Sequence, residues 1–582
     1  MNIAQVVFDL PLDGPFDYLI PEDLSGRITA GMRVKVSFSA RTRLGYVVGL
    51  LTQSAVANIK TIQSLSEMSP VFNETDLAFA REFCGFYGCS LGEALSTMLR
   101  NKQELKPSYR REHAPQYSLY RCRPDSYADQ IQEIIEGYRD QKRTGRFLVL
   151  VPDAFRADTI SQQSASLQGG AIKIGTRSMV FECDGQYDCI MMVDEEDASY
   201  KQEQTPMYET RQVLLARSKM YGFDVAFVGV SPSVELKAWA DEHRVELRDR
   251  PQAKIPPARL IDLANYKYIP GLISPPVRDA LEAALKAGQK SLLILNRKGS
   301  YRLTRCEDCG EVLKCQRCDS PLIFSKAQGQ YLCRYCTFTL AGDTVCSKCK
   351  KPSWRSQGIG VEQVLTELKK YFSNARVLAF ERPARLKAEK KGLGDFDILI
   401  STQAVLRFQG KWQVQAAAFI DFDAELNRLD MRSAFNAFSL GLHVSSMSKE
   451  VVFIQTRNSQ HYVLQSLATG KMQDFYDEEF KLRKEFGFCP FKHWVKISWR
   501  GKSEKSTCQA ASQAYDELKR SAPEGYTITS PLADAISRKR DQFRFNVMVQ
   551  ADHVPQAVAF IKSAIARIKR PSRVIMTLNI DP

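Results

Sequence analysis

Three groups of residues in this chain have types and spacings that could do chemistry. The first is a set of four Cys-x-x-Cys pairs, Cys306/Cys309, Cys315/Cys318, Cys333/Cys336 and Cys346/Cys349. Two thiolates three positions apart can reach one ion from a tight turn, and two such pairs complete a tetrahedral shell with Zn–S distances of ~2.3 Å. Eight thiolates therefore predict two Zn²⁺ ions per chain. All-cysteine shells leave no open position, so these ions are structural, and they supply much of the folding free energy of a segment too short for a good apolar core. Iron–sulfur clusters are the weaker alternative, because they usually use other cysteine runs. Spacing leaves open which pairs share an ion. The remaining cysteines, at positions 84, 89, 122, 183, 189, 489 and 508, are scattered and read as core packing.

The second group ends the stretch CIMMVDEEDASYKQE, where an apolar run gives way to Asp194, Glu195, Glu196 and Asp197. In a nucleotide-driven motor such a strand end holds Mg²⁺ and positions the attacking water. The blander role is to start the next helix, whose N-terminus favours acids. The third group interleaves cations with aromatic rings: KPSYRREH with Arg110 and Arg111, FCPFKHWVKISWRG with Lys492 and Trp494, and ISRKRDQFRFN with Arg538, Lys539 and Arg540. Cations neutralise phosphate and aromatic faces stack unpaired bases, so these are candidate DNA contacts. The alternative for each is a solvated basic face over a packed aromatic core.

Elements must hold these groups in place. RVKVSFSARTRLGYVVGLL alternates with period two, placing Val34, Val36 and Phe38 on one face of a small β domain that a helical stretch around ETDLAFAREFCGFYG closes. LKPSYRREHAPQYS is polar, basic and proline-containing, a linker. Beyond it, short apolar runs (RFLVLVPD, YDCIMMVDEED, FDVAFVGVSPS, KSLLILNRKG, ARVLAFER, FDILISTQ, AAAFIDFD, EVVFIQT) alternate with amphipathic stretches such as SYADQIQEIIEGYRDQ, where Tyr127, Ile131, Ile134 and Tyr138 share a side. That alternation predicts parallel α/β sheets, split into two lobes around the cysteine segment. The last stretch returns to strands, HWVKISWRG, FRFNVMVQA and RVIMTLNIDP, with helices between them, an α+β domain.

With 582 residues the chain is long enough for roughly three to five domains. Its composition, 44% hydrophobic and 25% charged, is that of a folded protein and excludes general disorder. A net charge of +15 favours a polyanionic partner. The N-terminus lacks a basic start followed by an apolar core, and no apolar run approaches the ~20 residues that cross a bilayer. The expectation is a cytoplasmic protein with no membrane partner, in which cysteines bind metal rather than form disulfides.

A two-lobed α/β core with a double Cys₄ insert in its second lobe resembles the PriA family of bacterial primosomal replication-restart helicases. PFDYLIPE looks like that family's 3′-end-binding domain; IGTRSMVF, VDEEDASYKQE, LNRKGSYRLTRCEDCGEVLKCQRC, GIGVEQVLTEL, ILISTQAVL and LDMRSAFNAF follow in its order of helicase-core signatures. The resemblance implies two RecA-like helicase lobes and a nested zinc pairing, with Cys306, Cys309, Cys346 and Cys349 on one ion and Cys315, Cys318, Cys333 and Cys336 on the other. It implies that Phe16, Asp17 and Lys60 grip a terminal 3′ nucleotide by stacking the base, accepting from the free hydroxyl and holding the phosphate. From residues alone, Phe16 reads instead as core of the β domain and Asp17 as a turn cap. The implied partners are forks, D-loops and single-stranded DNA with a 3′ end, together with primosome or replisome proteins and single-stranded DNA-binding protein. The implied organisation is a 3′-end-binding domain over 1–104, a linker over 105–118 where many members carry a winged helix, a first lobe over 119–253, a second lobe over 254–302 and 353–480 interrupted by the zinc insert at 303–352, and a DNA-binding α+β domain over 481–582.

The chain departs from the family where ATP is handled. No GxxxxGK[ST] occurs, and SLYRCRPDSYADQI, which stands where the family has a GSGKTE-type loop, has neither glycine nor lysine. Pro124 and Tyr127 fall where backbone must approach phosphate closely. The family's GSATP segment reads GVSPS, and its arginine-finger segment reads LGLHVSSMSKE, without an arginine; such a finger is worth ~10³–10⁵ in rate. Histidine follows the DEE of the family, where this chain has Asp197. The expectation is therefore a DNA-structure-binding restart protein without helicase activity, for which ATP and Mg²⁺ are not cofactors and the four acids are a relic. The competing readings are an active ATP-dependent 3′–5′ helicase with a divergent site and a zinc-dependent hub that binds protein only.

Overall fold

The computed structural model describes residues 2–99, 114–140, 145–163, 171–182, 186–249, 255–266, 271–295, 304–309, 311–316, 322–325, 328–333, 338–356, 360–380, 395–428, 430–539, 541–569, 571 and 573–582. Alternation at the N-terminus closes a five-stranded barrel from β1 (Ile3–Phe8), β2 (Phe16–Leu19), β3 (Arg33–Phe38), β4 (Arg41–Leu51) and β5 (Lys60–Leu65), in the order β1-β2-β5-β3-β4. Val34 and Val36 are fully buried inside it beside Val6, Val47 and Ile62. Helix α1 (Glu74–Tyr87) begins at a capping box in which Asn73 and Asp76 satisfy each other's backbone N–H groups, and ends at Gly88, whose φ of 71° suits glycine. Helix α2 (Leu91–Leu99) follows it.

Strand–helix alternation then builds two all-parallel sheets, as the pattern of short apolar runs requires. The first contains β6 (Tyr117–Arg121), β7 (Phe147–Leu150), β8 (Ile172–Gly175), β9 (Cys189–Val193), β10 (Asp224–Gly229) and β11 (Glu246–Asp249), in the order β11-β6-β10-β9-β7-β8. The second contains β12 (Ala258–Asp262), β13 (Ser291–Ile294), β19 (Val377–Phe380), β20 (Ile398–Ser401), β21 (Val414–Phe419) and β22 (Ser448–Thr456), in the order β12-β22-β21-β13-β20-β19. The intervening short strands β14 (Thr304–Cys306), β15 (Ile323–Ser325), β16 (Gln330–Leu332), β17 (Thr339–Ala341) and β18 (Trp354–Ser356) form two small antiparallel sheets around the cysteines. All eight apolar runs singled out in the sequence are strands. Strand β6 begins at Tyr117, inside the stretch read as a linker.

The helices between β6 and β11 are α3 (Tyr127–Asp140), α4 (Ala154–Gln163), α5 (Thr210–Tyr221) and α6 (Val234–Asp241). Tyr127, Ile131 and Ile134 lie on the buried face of α3. One apolar cluster runs through both lobes: Phe147, Val149, Val193 and Val228 of the first are continuous with Phe419, Phe438, Leu442 and Ile454 of the second. At ~25 cal/mol per Å² of apolar surface removed from water, such a shared core opposes separation of the lobes. Beyond the helix Met472–Phe486, β23 (His493–Gly501), β24 (Thr527–Ile528), β25 (Leu532–Lys539), β26 (Gln542–Ala551) and β27 (Ile575–Ile580) form an antiparallel sheet, with the helices Glu504–Ser521 and Val554–Ala566 packed on it.

Candidate functional site

The four acids follow β9. Its five residues are fully buried, and Asp194 leaves the strand with φ of 48°, a left-handed conformation uncommon outside glycine. The carboxylate of Asp194 is itself buried and accepts from the Tyr127 hydroxyl, at the start of α3, and from the Arg156 guanidinium, on α4. Burial and the adjacent Asp194 charge hold the Tyr127 phenol well above its ordinary pKa. The donors a Mg²⁺ ion and its waters would displace are therefore protein side chains.

Arg156 reaches further. Its other terminal nitrogen donates across to the second lobe, to the Leu406 carbonyl and to Oε1 of Gln409, both at 3.0 Å. With its oxygen facing Arg156, the Gln409 amide presents Nε2 to Nδ1 of His443 at 2.8 Å and to the His443 carbonyl at 3.2 Å. Nδ1 then accepts, which leaves Nε2 of His443 as the donor to Glu196 at 2.9 Å. Tyr127, Asp194, Arg156, Gln409, His443 and Glu196 thus form one hydrogen-bonded relay that crosses the interlobe cleft twice. Burial pushes the Glu196 carboxyl up to about 7, with the His443 contact opposing it. Burial works against a proton on His443, but the Glu196 contact outweighs it and moves that pKa upward.

The other two acids are also engaged. Glu195 accepts from Arg211 on α5 and from the Ser233 backbone at 2.6 Å, and burial raises its pKa against the Arg211 charge. Asp197 caps the short turn Ala198–Tyr200 through the Ser199 N–H at 2.8 Å, so only this acid performs the helix-starting role open to all four. The turn from β6 into α3 is occupied as well. Pro124 offers no N–H, Arg123 donates to the Ser446 carbonyl of the second lobe at 2.7 Å, and Gln413 donates to Asp125 at 2.8 Å. Gly410 of the second lobe lies so close to the Pro124 carbonyl that a Cβ there would sit 2.8 Å from its oxygen. At the GVSPS segment, Ser231 meets Ser439 at 3.3 Å and the Pro232 carbonyl accepts from Tyr476 at 2.6 Å. Sequence reasoning singled out Tyr127 but missed Arg156, Gln409 and His443, whose direct contacts in the relay join positions up to 253 residues apart along the chain.

Around the cysteines, β14 pairs antiparallel with β18 and brings two turns together. The thiols of Cys306, Cys309, Cys346 and Cys349 all lie within 4.8 Å of one another, with Cys306 to Cys349 and Cys309 to Cys346 each at 3.5 Å. A tetrahedral Zn–S shell at ~2.3 Å has thiolates roughly 3.8 Å apart, so this donor set fits a zinc ion. Backbone N–H groups of Cys306 and Cys346 are tied to the Glu311 and Lys351 carbonyls, which fixes both turns. Cys315 and Cys333 are buried together with Leu313, Leu322 and Tyr331; Cys318 and Cys336 lie outside the described residues.

Phe16 and Asp17 lie on β2, and Lys60 opens the adjacent β5, opposite Tyr18. The Phe16 ring packs on Phe8 and Phe38, with centroids 5.7 and 5.1 Å away, yet stays half-buried. Asp17 accepts from the Ser54 hydroxyl, and Lys60 is exposed. Of the basic and aromatic candidates, Arg110, Arg111 and Arg540 lie outside the described residues. Lys492 is 3.7 Å from Asp552, and the Trp494 indole donates to the Gly487 carbonyl at 2.9 Å. Arg538 covers the Phe543 ring, and Lys539 pairs with Gln542 on β26. Trp494 is opposite Gln550 and Arg538 opposite Phe543, seven residues apart on β26, which at ~3.4 Å per residue separates the two patches by about 24 Å.

Two family models match the chain: the 3′ DNA-binding domain (3′BD) of PriA over residues 5–100 and the primosomal protein N C-terminal domain over residues 484–582. Among curated proteins, the replication restart protein PriA of Treponema pallidum (strain Nichols) is 25% identical, covering 99% of this chain and 99% of its own length. That of Rickettsia prowazekii (strain Madrid E) is 24% identical, covering 100% of this chain and 99% of its own. That of Bacillus subtilis (strain 168) is 26% identical over 70% of this chain and 53% of its own length.

Proposed function

This chain belongs to the PriA family of replication restart proteins and carries its 3′ DNA-binding domain, and on that premise we propose that it binds forked or branched DNA with a free 3′ end and promotes reloading of the replication machinery without hydrolysing ATP. One observation carries the second half of the proposal. The Asp194 carboxylate, which in a motor holds Mg²⁺, is taken by Arg156 and Tyr127, and Arg156 continues into the second lobe. A nucleotide in such a cleft supplies charge that both lobes grip. Here the relay makes the same bridge with protein groups alone: the ligand atoms of Asp194, Glu196 and His443 lie within 4.8 Å of one another, but each is bonded to a protein partner and the Arg156 charge beside Asp194 opposes an added cation.

The remaining functions follow from what is kept. The barrel carries Phe16, Asp17 and Lys60 for the 3′ nucleotide; the basic and aromatic residues Lys492, Trp494, Arg538 and Lys539 serve the single-stranded portion; the cysteine segment, holding two zinc ions, serves as a rigid platform for DNA and for primosome, replisome or single-stranded DNA-binding partners. Among the described residues no helix is long and apolar enough to cross a membrane; the cytoplasmic location belongs to the proposal and rests on the DNA partner. The test is direct. Purified protein is titrated with ATP and Mg²⁺, with and without forked DNA, and the same fork is bound at several salt concentrations. Salt-sensitive fork binding with neither nucleotide binding nor turnover is expected. DNA-stimulated hydrolysis that Glu195→Gln abolishes would return the molecule to the helicases, and absence of any DNA binding would leave it a protein-only hub.

A further inference from the structure

A second constellation of metal-binding side chains lies away from the Cys-x-x-Cys pairs, and it reaches beyond the reading above. The helix Met472–Phe486 ends at Gly487, with φ of 63°, and the chain turns through Phe488, Cys489 and Pro490 before β23 begins at His493. The neighbouring edge strand β27, paired antiparallel with β23, ends at Ile580, and Asp581 continues that pairing, with its N–H donating to the Trp494 carbonyl at 2.8 Å. One oxygen of the Asp581 carboxylate accepts from the Trp494 N–H at 3.0 Å and the other contacts Nδ1 of His493 at 2.7 Å. The Asp581 backbone has φ of 44°, a left-handed conformation that a non-glycine residue holds only when its surroundings impose it. The ligand atoms of Cys489, His493 and Asp581 all lie within 4.8 Å of one another.

We propose that Cys489, His493 and Asp581 bind a zinc-type divalent cation that clasps the first and last strands of the C-terminal sheet. A thiolate, an imidazole and a carboxylate are a donor set that Zn²⁺ accepts at 2.0–2.3 Å. Cys489 and Asp581 are buried and His493 is half-buried, which leaves an entry path on the histidine side.

Charge is the strongest objection, and it balances. Arg432 and Arg483 surround Cys489, and Arg483 donates to the Cys489 carbonyl at 2.7 Å. Lys201 donates to the Ile580 and Asp581 carbonyls at 2.5 and 2.7 Å. These cations would repel an added +2. Counted as a thiol beside a His493–Asp581 ion pair, however, the three residues carry no net charge without metal. With Zn²⁺, a thiolate, a neutral imidazole and a carboxylate they again carry none, because the thiol and imidazolium protons leave. Arg483 keeps its Glu235 partner at 3.2 Å and Arg432 faces Glu209 at 3.8 Å, so the surrounding pairs meet the same net charge either way. The ion replaces the His493–Asp581 contact with three bonds, and through Lys201 the clasp extends to the first lobe.

The experiment measures metal per chain in full-length protein, then repeats it after Co²⁺ exchange. Cys489→Ser and His493→Gln are each expected to remove one equivalent, while the intense thiolate-to-cobalt absorption of the four-cysteine shells persists. A Cys309→Ser variant should show the converse, losing the share of that absorption due to its own four-cysteine shell and keeping the weaker one-thiolate signal. Equal metal content and identical cobalt spectra in wild type, Cys489→Ser and His493→Gln would overturn the proposal. If both variants fail to fold, the wild type decides: uptake of no Co²⁺ beyond that bound in all-cysteine shells refutes the site, and an additional equivalent with a one-thiolate spectrum supports it.

Discussion

Truncating Arg156 to alanine removes the centre of the interlobe relay. The substitution deletes a guanidinium that bonds Asp194, the Leu406 carbonyl and Gln409 and is itself only 6% exposed. Asp194, 2% exposed, would keep only the Tyr127 hydroxyl of its two side-chain donors. Removing one member of a buried ion pair costs ~3–5 kcal/mol, because the other charge stays buried without compensation. The retained Tyr127 bond places the expectation at the low end, about 3 kcal/mol. For a folding unit of 150–250 residues that is a fall of roughly 6–12 °C in the midpoint of the core transition. The assay is thermal unfolding of Arg156→Ala, Asp194→Leu and the Arg156→Met/Asp194→Leu double variant. The double variant should recover most of the loss, since replacing both charges with apolar groups of similar volume is near neutral. Single variants within about 1 kcal/mol of wild type, or a double variant worse than the sum of its parts, would refute the claim that this pair holds the cleft. So would wild-type ATP hydrolysis that Arg156→Ala eliminates.

Other outcomes follow from the same geometry. Glu196, raised from 4.5 to about 7 by burial, and His443, raised by the Glu196 contact, both bind protons more tightly in the folded state. The Glu196 contribution is complete below pH ~4.5 and is lost as pH rises through about 7, whereas that of His443 is complete below its ordinary value of 6.5 and is lost as pH rises past it; Asp194, Glu195 and Arg156 face the same pocket. His443→Gln should flatten the fall in melting temperature between pH 5 and 9 relative to wild type, and an unchanged slope would discount the pair. Cys309→Ser, or a strong chelator, should make the 303–352 segment sensitive to protease while fork binding through the terminal domains persists, as read by mass mapping and gel shift. Asp17→Ala should reduce discrimination between a 3′-hydroxyl and a 3′-phosphate on the fork with little loss of stability. Phe16→Ala should cost stability as well, because its ring also packs on Phe8 and Phe38. Trp494→Ala should weaken single-strand binding by ~1–3 kcal/mol, whereas Lys492→Ala should lower the salt slope by about one.

Much of this architecture was legible because it is written locally. The eight apolar runs, each bounded by polar or turn residues, are strands, and a face spaced at helical period such as Tyr127, Ile131 and Ile134 is buried on a helix. Cysteine spacing is likewise local, and a three-residue step needs only one turn. The relay was not legible. Arg156 and Gln409 carry no motif, and their roles arise because two parallel sheets face each other and leave buried polar atoms to be satisfied. Phe16 shows the ambiguity between the two cases: alternation places it on the barrel, and only the packing reveals that one ring both fills the aromatic cluster and remains half-open. Strands such as β6 and the edge strands β8 and β11 escaped notice because four or five residues in mixed company give too short a pattern.

If, as proposed, a guanidinium stands where a motor binds its nucleotide, the consequence is cellular. A motor's conformation follows the adenylate pool, so its work slows when energy charge falls. On that proposal a cleft bridged by Arg156 would not sample that pool. The occupancy of this protein on DNA would be set by the abundance of open 3′ ends and of its partners alone, and would persist through starvation, when stalled forks are common and fuel is scarce.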